Sequence, residues 1–159
     1  MDKRIYLITY DIPEKARVKR DQLRNFLLRI DARLLQESTF LTPYNPRELI
    51  NEFNQKYKVP GTIIISDIGP DGGVGEMNIQ DLLVKLYSLE DLNDKYEEFI
   101  KNARKKKRPV RSLLFEYLSI LKNDPQLPFS LLPVGWLGEK AYLAYEKLRR
   151  KYINSYAAA

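Results

Sequence analysis

The acidic residues whose positions best suit chemistry are two aspartates at the ends of predicted strands. Asp11 closes the apolar run that starts the chain, and Asp67 follows a later β-branched run, with Asp71 close behind it. Side chains at strand ends emerge from a sheet into clefts, and carboxylate oxygens suit Mg²⁺ and Mn²⁺. Asp11 is therefore a candidate catalytic and metal-binding residue. The alternative, which we favour, is that Asp11 caps the following turn or pairs with Arg17 or Arg20.

The composition excludes several kinds of enzyme. The chain of 159 residues contains no histidine and no cysteine. It therefore cannot build a disulfide, a thiol nucleophile, a Ser-His-Asp relay or a Cys/His zinc site. A hydrolase made from this chain would lack a histidine base and would depend on metal-bound hydroxide. We expect a non-catalytic protein without a cofactor, and a Mg²⁺-dependent enzyme is the alternative.

Cationic residues form two groups that suit contacts with phosphates. Arg17, Arg20 and Arg24 share one face of a predicted helix, and Arg104-Lys105-Lys106-Lys107-Arg108 is a continuous run in a chain of net charge +6. Such residues bind nucleic acids through backbone phosphates, but they also complement the negative end of a helix dipole. Both groups are candidate nucleic-acid-binding residues, and solvated helix surfaces are the alternative.

Two further patterns are interpreted as structural. The glycine-rich segment Gly69–Gly75 matches neither common phosphate-binding loop pattern, and it predicts a hairpin instead. Tyrosines near the C-terminus could stack on bases, but their helical spacing is more typical of a core. These residues are Tyr142, Tyr145, Tyr152 and Tyr156.

The first half of the chain predicts a sheet with two helices. Both alternating residue sets of Arg4–Asp11 are apolar or aromatic, which predicts a central strand covered on both faces. Thr62–Ile65 predicts a short buried strand, and residues 33–42 predict one bent strand or two short ones. Helices are predicted over residues 17–30 and 46–57. This order predicts an α+β fold with a ferredoxin-like βαββαβ domain.

The second half of the chain predicts mainly helices. Capping residues and apolar spacing place them over residues 78–86, 88–103, 114–121 and 139–152. The intervening segment 124–138 predicts an ordered loop held on a core by Trp136. We expect a ferredoxin-like domain over residues 1–87 and a helical region over 88–156. Ala157-Ala158-Ala159 is expected to be a remnant of vector sequence outside the fold.

The sequence also predicts a location and an assembly. It contains neither a secretory signal nor an apolar run long enough to span a bilayer, so we expect a cytoplasmic protein with no membrane partner. A four-stranded sheet leaves two open edges that need cover. We therefore expect a homodimer.

Three segments carry a resemblance to a known family. IYLITYDIPEKARVKRDQLRNFLLRI (5–30), followed by LLQESTFLTPY (34–44), resembles the middle domain of the PaaX-type transcriptional repressors. That domain is itself similar to the small dimeric subunit of the CRISPR spacer-integration complex. LYSLEDLNDKYEEFI (86–100) is similar to the family's L-N-x-x-Y-x-x-F stretch, and DPQLPFSLLPVGWLGEKAYLAYEKL (124–148) resembles its C-terminal D-P-x-L-P and W-x-G signature.

The resemblance implies a homodimeric regulator that binds operator DNA, with a C-terminal part that dimerises and senses a small-molecule effector of unknown identity. It also implies an alternative function, that of a metal-dependent nuclease or of a spacer-integration subunit. The strand-end acid of the CRISPR subunit matches Asp11, and its S-V-F is similar to Ser38-Thr39-Phe40. The family's winged helix-turn-helix domain would precede residue 1. We therefore expect a fragment, with a natural stand-alone version as the alternative, and DNA specificity in the preceding domain.

Overall fold

The chain forms two compact units in a computed structural model that describes residues 4–69, 78–105 and 107–157. The sheet unit contains the chain up to Tyr87 together with Leu127–Leu131. The helical unit contains Ser88–Gln126 and the chain from Leu132 onward. No helix within these described ranges is both long enough and apolar enough to cross a membrane.

The sheet unit has the predicted order of strands and helices. Its elements are β1 (Ile5–Asp11), α1 (Arg17–Arg29), β2 (Arg33–Gln36), β3 (Thr39–Thr42), α2 (Arg47–Tyr57), β4 (Thr62–Ile68) and α3 (Ile79–Leu86). The four strands form one antiparallel sheet in the order β2-β3-β1-β4. The central place of β1 follows from its apolar residues on both faces. The structure confirms the α+β class and the βαββαβ arrangement.

Apolar side chains from the sheet and from both helices form the core of this unit. Ile8 of β1, Leu23 and Leu27 of α1, and Phe40 of β3 are fully buried within it. Burial of one such side chain stabilises a protein by about 1.5 to 3 kcal/mol, so these positions define the fold. Helix α2 joins the same core, where the ring of Phe53 stacks on Phe26 with centroids 4.3 Å apart.

The predicted strand at Thr62–Ile65 is confirmed, but the prediction that it is short and buried was wrong. Strand β4 extends to Ile68 and lies at the edge of the sheet, where it pairs with β1. Ile63 and Ile65 pack against the core, whereas the side chain of Ile64 points to the other face and is 55% exposed. A run of β-branched residues predicts strand structure well, but it does not distinguish an edge strand from a central one.

The turn between β2 and β3 and the starts of α2 and α3 lie at or close to the positions that the sequence predicts. Residues 33–42 form two strands, and Ser38 in the turn between them has a positive φ of 58°. Asn78 caps α3 as predicted, because its side-chain oxygen accepts a hydrogen bond from the Asp81 amide at 2.9 Å. Helix α2 begins at Arg47, whereas the sequence predicts that Pro46 is its first residue.

The helical unit is built from three helices. They are α4 (Leu89–Lys105), α5 (Val110–Leu121) and α6 (Gly138–Ala157). Their shared core contains Tyr96 and Phe99 of α4, Tyr117 of α5 and Ala141 of α6, all buried. Helix α5 begins at Val110, four residues before the predicted start, and its buried side includes Leu113 and Ile120, whereas Leu118 is 45% exposed.

The loop before α6 is fixed by aromatic and polar contacts, as the sequence predicts for Trp136. The indole of Trp136 packs edge-on against Tyr96, with ring centroids 5.6 Å apart. Gly138 follows closely, and a Cβ at that position would lie 2.4 Å from Nε1 of Trp136. Any larger residue at position 138 would therefore force the indole or the backbone to shift.

The four C-terminal tyrosines are only partly core residues. Tyr145 stacks on Tyr117 with centroids 4.4 Å apart and packs against the core of the helical unit. Tyr152 is half-buried, but Tyr142 is 49% exposed. The side chain of Tyr156 lies outside the described residues.

Candidate functional site

Asp11 is exposed at the end of β1 and stands apart from the arginines that the sequence offers as partners. The predicted ion pair with Arg17 or Arg20 was wrong: Arg20 instead lies 3.6 Å from Glu14, and Asp11 forms no ion pair among the described residues. The turn after β1 is held by its backbone, because the Ala16 amide donates to the Pro13 carbonyl at 2.8 Å.

Asp67 is held by arginines and lies at the opposite end of the strands from Asp11. Its carboxylate accepts hydrogen bonds from Arg47 at 2.6 Å and from Arg4 at 3.1 Å. The hydrogen bond from Arg47 is the main reason that the pKa of Asp67 is lowered. In the register of β1 and β4, Asp67 faces Tyr6 and Asp11 faces Thr62.

The strand register places the two strand-end carboxylates too far apart to share a metal ion within one chain. Five positions along a strand separate Asp11 from Asp67, which is about 17 Å. The third candidate, Asp71, lies outside the described residues. Across the residues that the structure describes, no group of three or more acidic side chains could hold a metal ion. Asp11 is an exposed carboxylate that belongs to no such group in the described part of one chain.

The three arginines of α1 occupy the helix surface beside the end of β1. Arg17 and Arg24 are exposed and Arg20 is half-buried. Burial raises the pKa of the nearby Tyr10, and a hydrogen bond with Ser38 and the charges of Arg24 and Arg20 oppose that shift. Thus Arg20 and Arg24 act on the same end of β1 that carries Asp11.

The basic run lies at the end of α4 and in the link to α5. Arg104 and Lys105 are the last residues of α4, and Lys107 and Arg108 follow in the link, whereas Lys106 lies outside the described residues. Arg104, Lys105 and Lys107 are exposed and form no ion pair in the described part of the chain.

Arg108 differs from its neighbours because it has an internal partner. Its guanidinium pairs with Glu116 of α5 and also donates to the Ser112 hydroxyl at 2.9 Å. The other carboxylate oxygen of Glu116 accepts from the Asn102 amide at 3.1 Å. Arg108 therefore closes the link between α4 and α5, a structural role that a run of cations does not predict.

Cations that sequence reasoning missed join this end of the helical unit. A groove with a cavity volume of about 560 Å³ is lined by apolar residues and by Arg104, Arg108, Lys140, Lys147 and Lys151. The three lysines belong to α6 at positions i, i+7 and i+11, which lie on one stripe of a helix. That spacing was the available signal, but nothing in the sequence indicates that α6 packs beside Arg104.

The motif residues of segments 86–100 and 124–148, which resemble the C-terminal part of the PaaX-type family, have structural roles in the helical unit. The Tyr96 hydroxyl donates to Asp124 at 2.6 Å, which joins α4 to the loop after α5. Asn93 accepts a hydrogen bond from the Leu137 amide at 2.8 Å and donates to the Gly135 carbonyl at 3.4 Å. The L-N-x-x-Y and D-P motifs thus fasten α4 to both ends of the segment that joins α5 to α6.

Both parts of the chain match models of known protein families. Residues 1–72 match the model of the PaaX protein central Cas2-like domain, and residues 87–158 match the model of the PaaX-like protein C-terminal domain. Among curated proteins, none matches the chain.

A solved structure has the same fold. It is the uncharacterised protein Rv0674 from Mycobacterium tuberculosis, with a TM-score of 0.67 and 16% sequence identity. The match covers 99% of this chain and 63% of that protein. At this identity the likeness concerns the fold alone.

Proposed function

Since the chain belongs to the PaaX family, through that family's central and C-terminal domains, we propose that it is the non-catalytic, homodimerising and DNA-associated part of a transcriptional regulator. The matched domains follow one another along the chain in the order that their names describe. We further propose that a small-molecule effector of unknown identity binds the regulator and controls its activity.

The observation that best supports the dimer is the open edge of β4. Within the described residues, β4 pairs with β1 alone over seven positions, so its other edge is free for a further strand. Ile64 adds an exposed apolar side chain to this edge. Two copies related by a two-fold axis would pair their β4 strands antiparallel and extend the sheet, which satisfies the open backbone groups.

The dimer is tested by light scattering on the purified chain at micromolar concentration. We expect twice the chain mass of 18.7 kDa for the parent. Ile64→Lys should yield monomers, because it places charges at the pairing edge while the side chain is already 55% exposed in one copy. Val18→Lys is the matched control, since Val18 is exposed on α1 and should leave the dimer intact. A parent of 18.7 kDa would refute the dimer.

The proposed DNA contacts use those exposed cations of the two predicted groups that form no ion pair in the described part of the chain. They are Arg17 and Arg24 of α1 and Arg104, Lys105 and Lys107 of the basic run. Because they form separate small groups, each chain can neutralise only a few phosphates. Binding should therefore be weak, independent of sequence and steeply dependent on salt.

The salt dependence of binding to a labelled duplex tests these contacts. If Lys105 and Lys107 each neutralise one phosphate, Lys105→Ala with Lys107→Ala reduces the slope of log K against log salt by about 2. Lys95→Ala with Lys122→Ala is the matched control, because both lysines are exposed in the helical unit outside the run. A slope that is unchanged by the first pair, or equally reduced by the second, would reject the assignment to the run.

A further inference from the structure

The groove in the helical unit combines an apolar floor with a cationic rim. Its floor is formed where the end of α4, the start of α5 and the middle of α6 meet, with Ile100, Val110, Leu113 and Leu148 among the lining residues. Leu113 is buried, whereas Leu143 in the wall of the groove is 56% exposed. The volume of about 560 Å³ lies within the range of about 300 to 1,000 Å³ that small-molecule sites occupy.

The charges around this groove are not balanced by the protein. Arg104, Lys140, Lys147 and Lys151 line it and form no ion pair among the described residues, and Glu116 compensates Arg108 alone. Four like charges around one apolar depression repel each other, and an anion placed among them would relieve that repulsion. The groove thus favours an occupant that is both apolar and negatively charged.

We propose that this groove binds a free anionic amphiphile, a single apolar chain or ring system that ends in a carboxylate or a phosphate. Its apolar body lies against Leu113, Leu143 and Leu148, and its head group is held by the lysines of α6 and by Arg104. A nucleic-acid backbone would use the cations but leave the exposed Leu143 without an apolar partner. The floor therefore favours an amphiphile over DNA at this position.

Arg104 belongs both to the groove and to the proposed DNA contacts, but Lys105 and Lys107 do not line the groove. Substitutions at Lys105 and Lys107 therefore alter the proposed DNA contacts without changing the lining of the ligand site. The inference concerns binding by the helical unit and holds whether or not the chain binds DNA or dimerises. A ligand at this site would be a candidate for the effector of the regulator proposed above.

Isothermal titration of the full chain tests the site with dodecyl phosphate, kept below the concentration at which it aggregates. We expect one molecule bound per chain. Butyl phosphate keeps the head group without the chain, and dodecyl maltoside keeps the chain without the charge. Each should bind at least about tenfold more weakly, because each loses one of the two interactions.

Variants locate the site. Leu143→Ser should weaken dodecyl phosphate binding about fivefold, and Lys140→Gln with Lys147→Gln about tenfold. The matched controls are Leu118→Ser, at a leucine 45% exposed on α5, and Lys95→Gln with Lys122→Gln, and they should leave affinity unchanged. All these side chains are at least partly exposed, so the variants should fold, which circular dichroism verifies.

Four results would overturn the inference. They are the absence of binding by the parent, equal effects of the groove and control variants, binding to anionic vesicles without binding of the free amphiphile, and complete displacement of the amphiphile by short duplex DNA. The third result would assign the groove to a membrane surface and the fourth to nucleic acid.

Discussion

Replacement of Tyr96 by phenylalanine should destabilise the helical unit, although the ring itself is kept. Tyr96 is 1% exposed, and its hydroxyl donates to Asp124 at 2.6 Å. The same carboxylate accepts from the Gln126 amide at 2.7 Å, so Tyr96 and the loop backbone share one half-buried acceptor. Hydrogen bonds to charged groups contribute about 1.5 to 3 kcal/mol, and we expect Tyr96→Phe to lower the free energy of unfolding by that amount.

The single tryptophan gives a direct assay for this loss. Trp136 packs edge-on against Tyr96, so its fluorescence during urea titration reports the unfolding of the helical unit. Tyr142→Phe is the matched control, because Tyr142 is 49% exposed, and it should change stability by less than about 0.5 kcal/mol.

A double-mutant cycle separates the hydrogen bond from other effects of the substitution. With Asp124→Ala as the second change, we expect a coupling energy of about 1 kcal/mol or more between the two positions. A Tyr96→Phe variant as stable as the parent, or a coupling energy near zero, would refute the role of this hydrogen bond.

The remaining predictions concern pH, a loop and a tight turn. Burial raises the pKa of four tyrosines, Tyr10, Tyr87, Tyr96 and Tyr117. Their neutral phenols therefore contribute fully to the free energy of unfolding below pH ~10, the pKa of an unfolded tyrosine. As pH rises further, that contribution is lost by up to about 1.4 kcal/mol per pH unit for each phenol. Denaturant titrations at pH 9 and above should show this loss, and a flat stability would contradict it. Asn93→Ala should cost about 1 to 3 kcal/mol by the same fluorescence assay, because the half-buried Leu137 amide loses its acceptor. Gly61→Ala should cost about 2 kcal/mol or more in thermal unfolding followed by circular dichroism, because Gly61 has φ +93° and a Cβ would lie 2.1 Å from the Asp11 carbonyl oxygen.

The fold could be predicted from the sequence where the signal is local and periodic. The doubly apolar pattern of Ile5–Asp11 placed β1 in the centre of the sheet, and the Asn78 cap placed the start of α3. The exposure of Ile64 could not be predicted, because it depends on which strand takes the edge of the sheet. Spacing alone does not identify the buried side of α5, because Leu114, Leu118 and Leu121 also have helical spacing, and only packing against α4 and α6 selects Leu113 and Ile120.

The candidate sites depend on contacts between segments far apart in the chain, and prediction was weaker there. Sequence reasoning singled out Asp11 and Asp67 as strand-end acids, but only the strand register shows that they lie at opposite ends. It grouped Arg108 with its cationic neighbours, although Arg108 forms an ion pair with Glu116, eight residues later. The lysines of α6 became part of a site only through the packing of α6 beside α4, for which the sequence contains no pairing signal.

We propose that this chain contacts DNA without cutting it, and a cleavage assay tests that proposal most directly. The purified protein and its Asp11→Ala variant are incubated with labelled duplex DNA and RNA in low salt, with Mg²⁺ or Mn²⁺, and resolved on native and denaturing gels. We expect both proteins to retard the duplex, because the proposed DNA contacts are cations and not Asp11. We expect the duplex to stay intact, because Asp11 belongs to no group of three or more acids within the described part of one chain that could hold a metal ion. Cleavage by the parent that disappears in Asp11→Ala would contradict the account and assign the chain a metal-dependent nuclease activity instead.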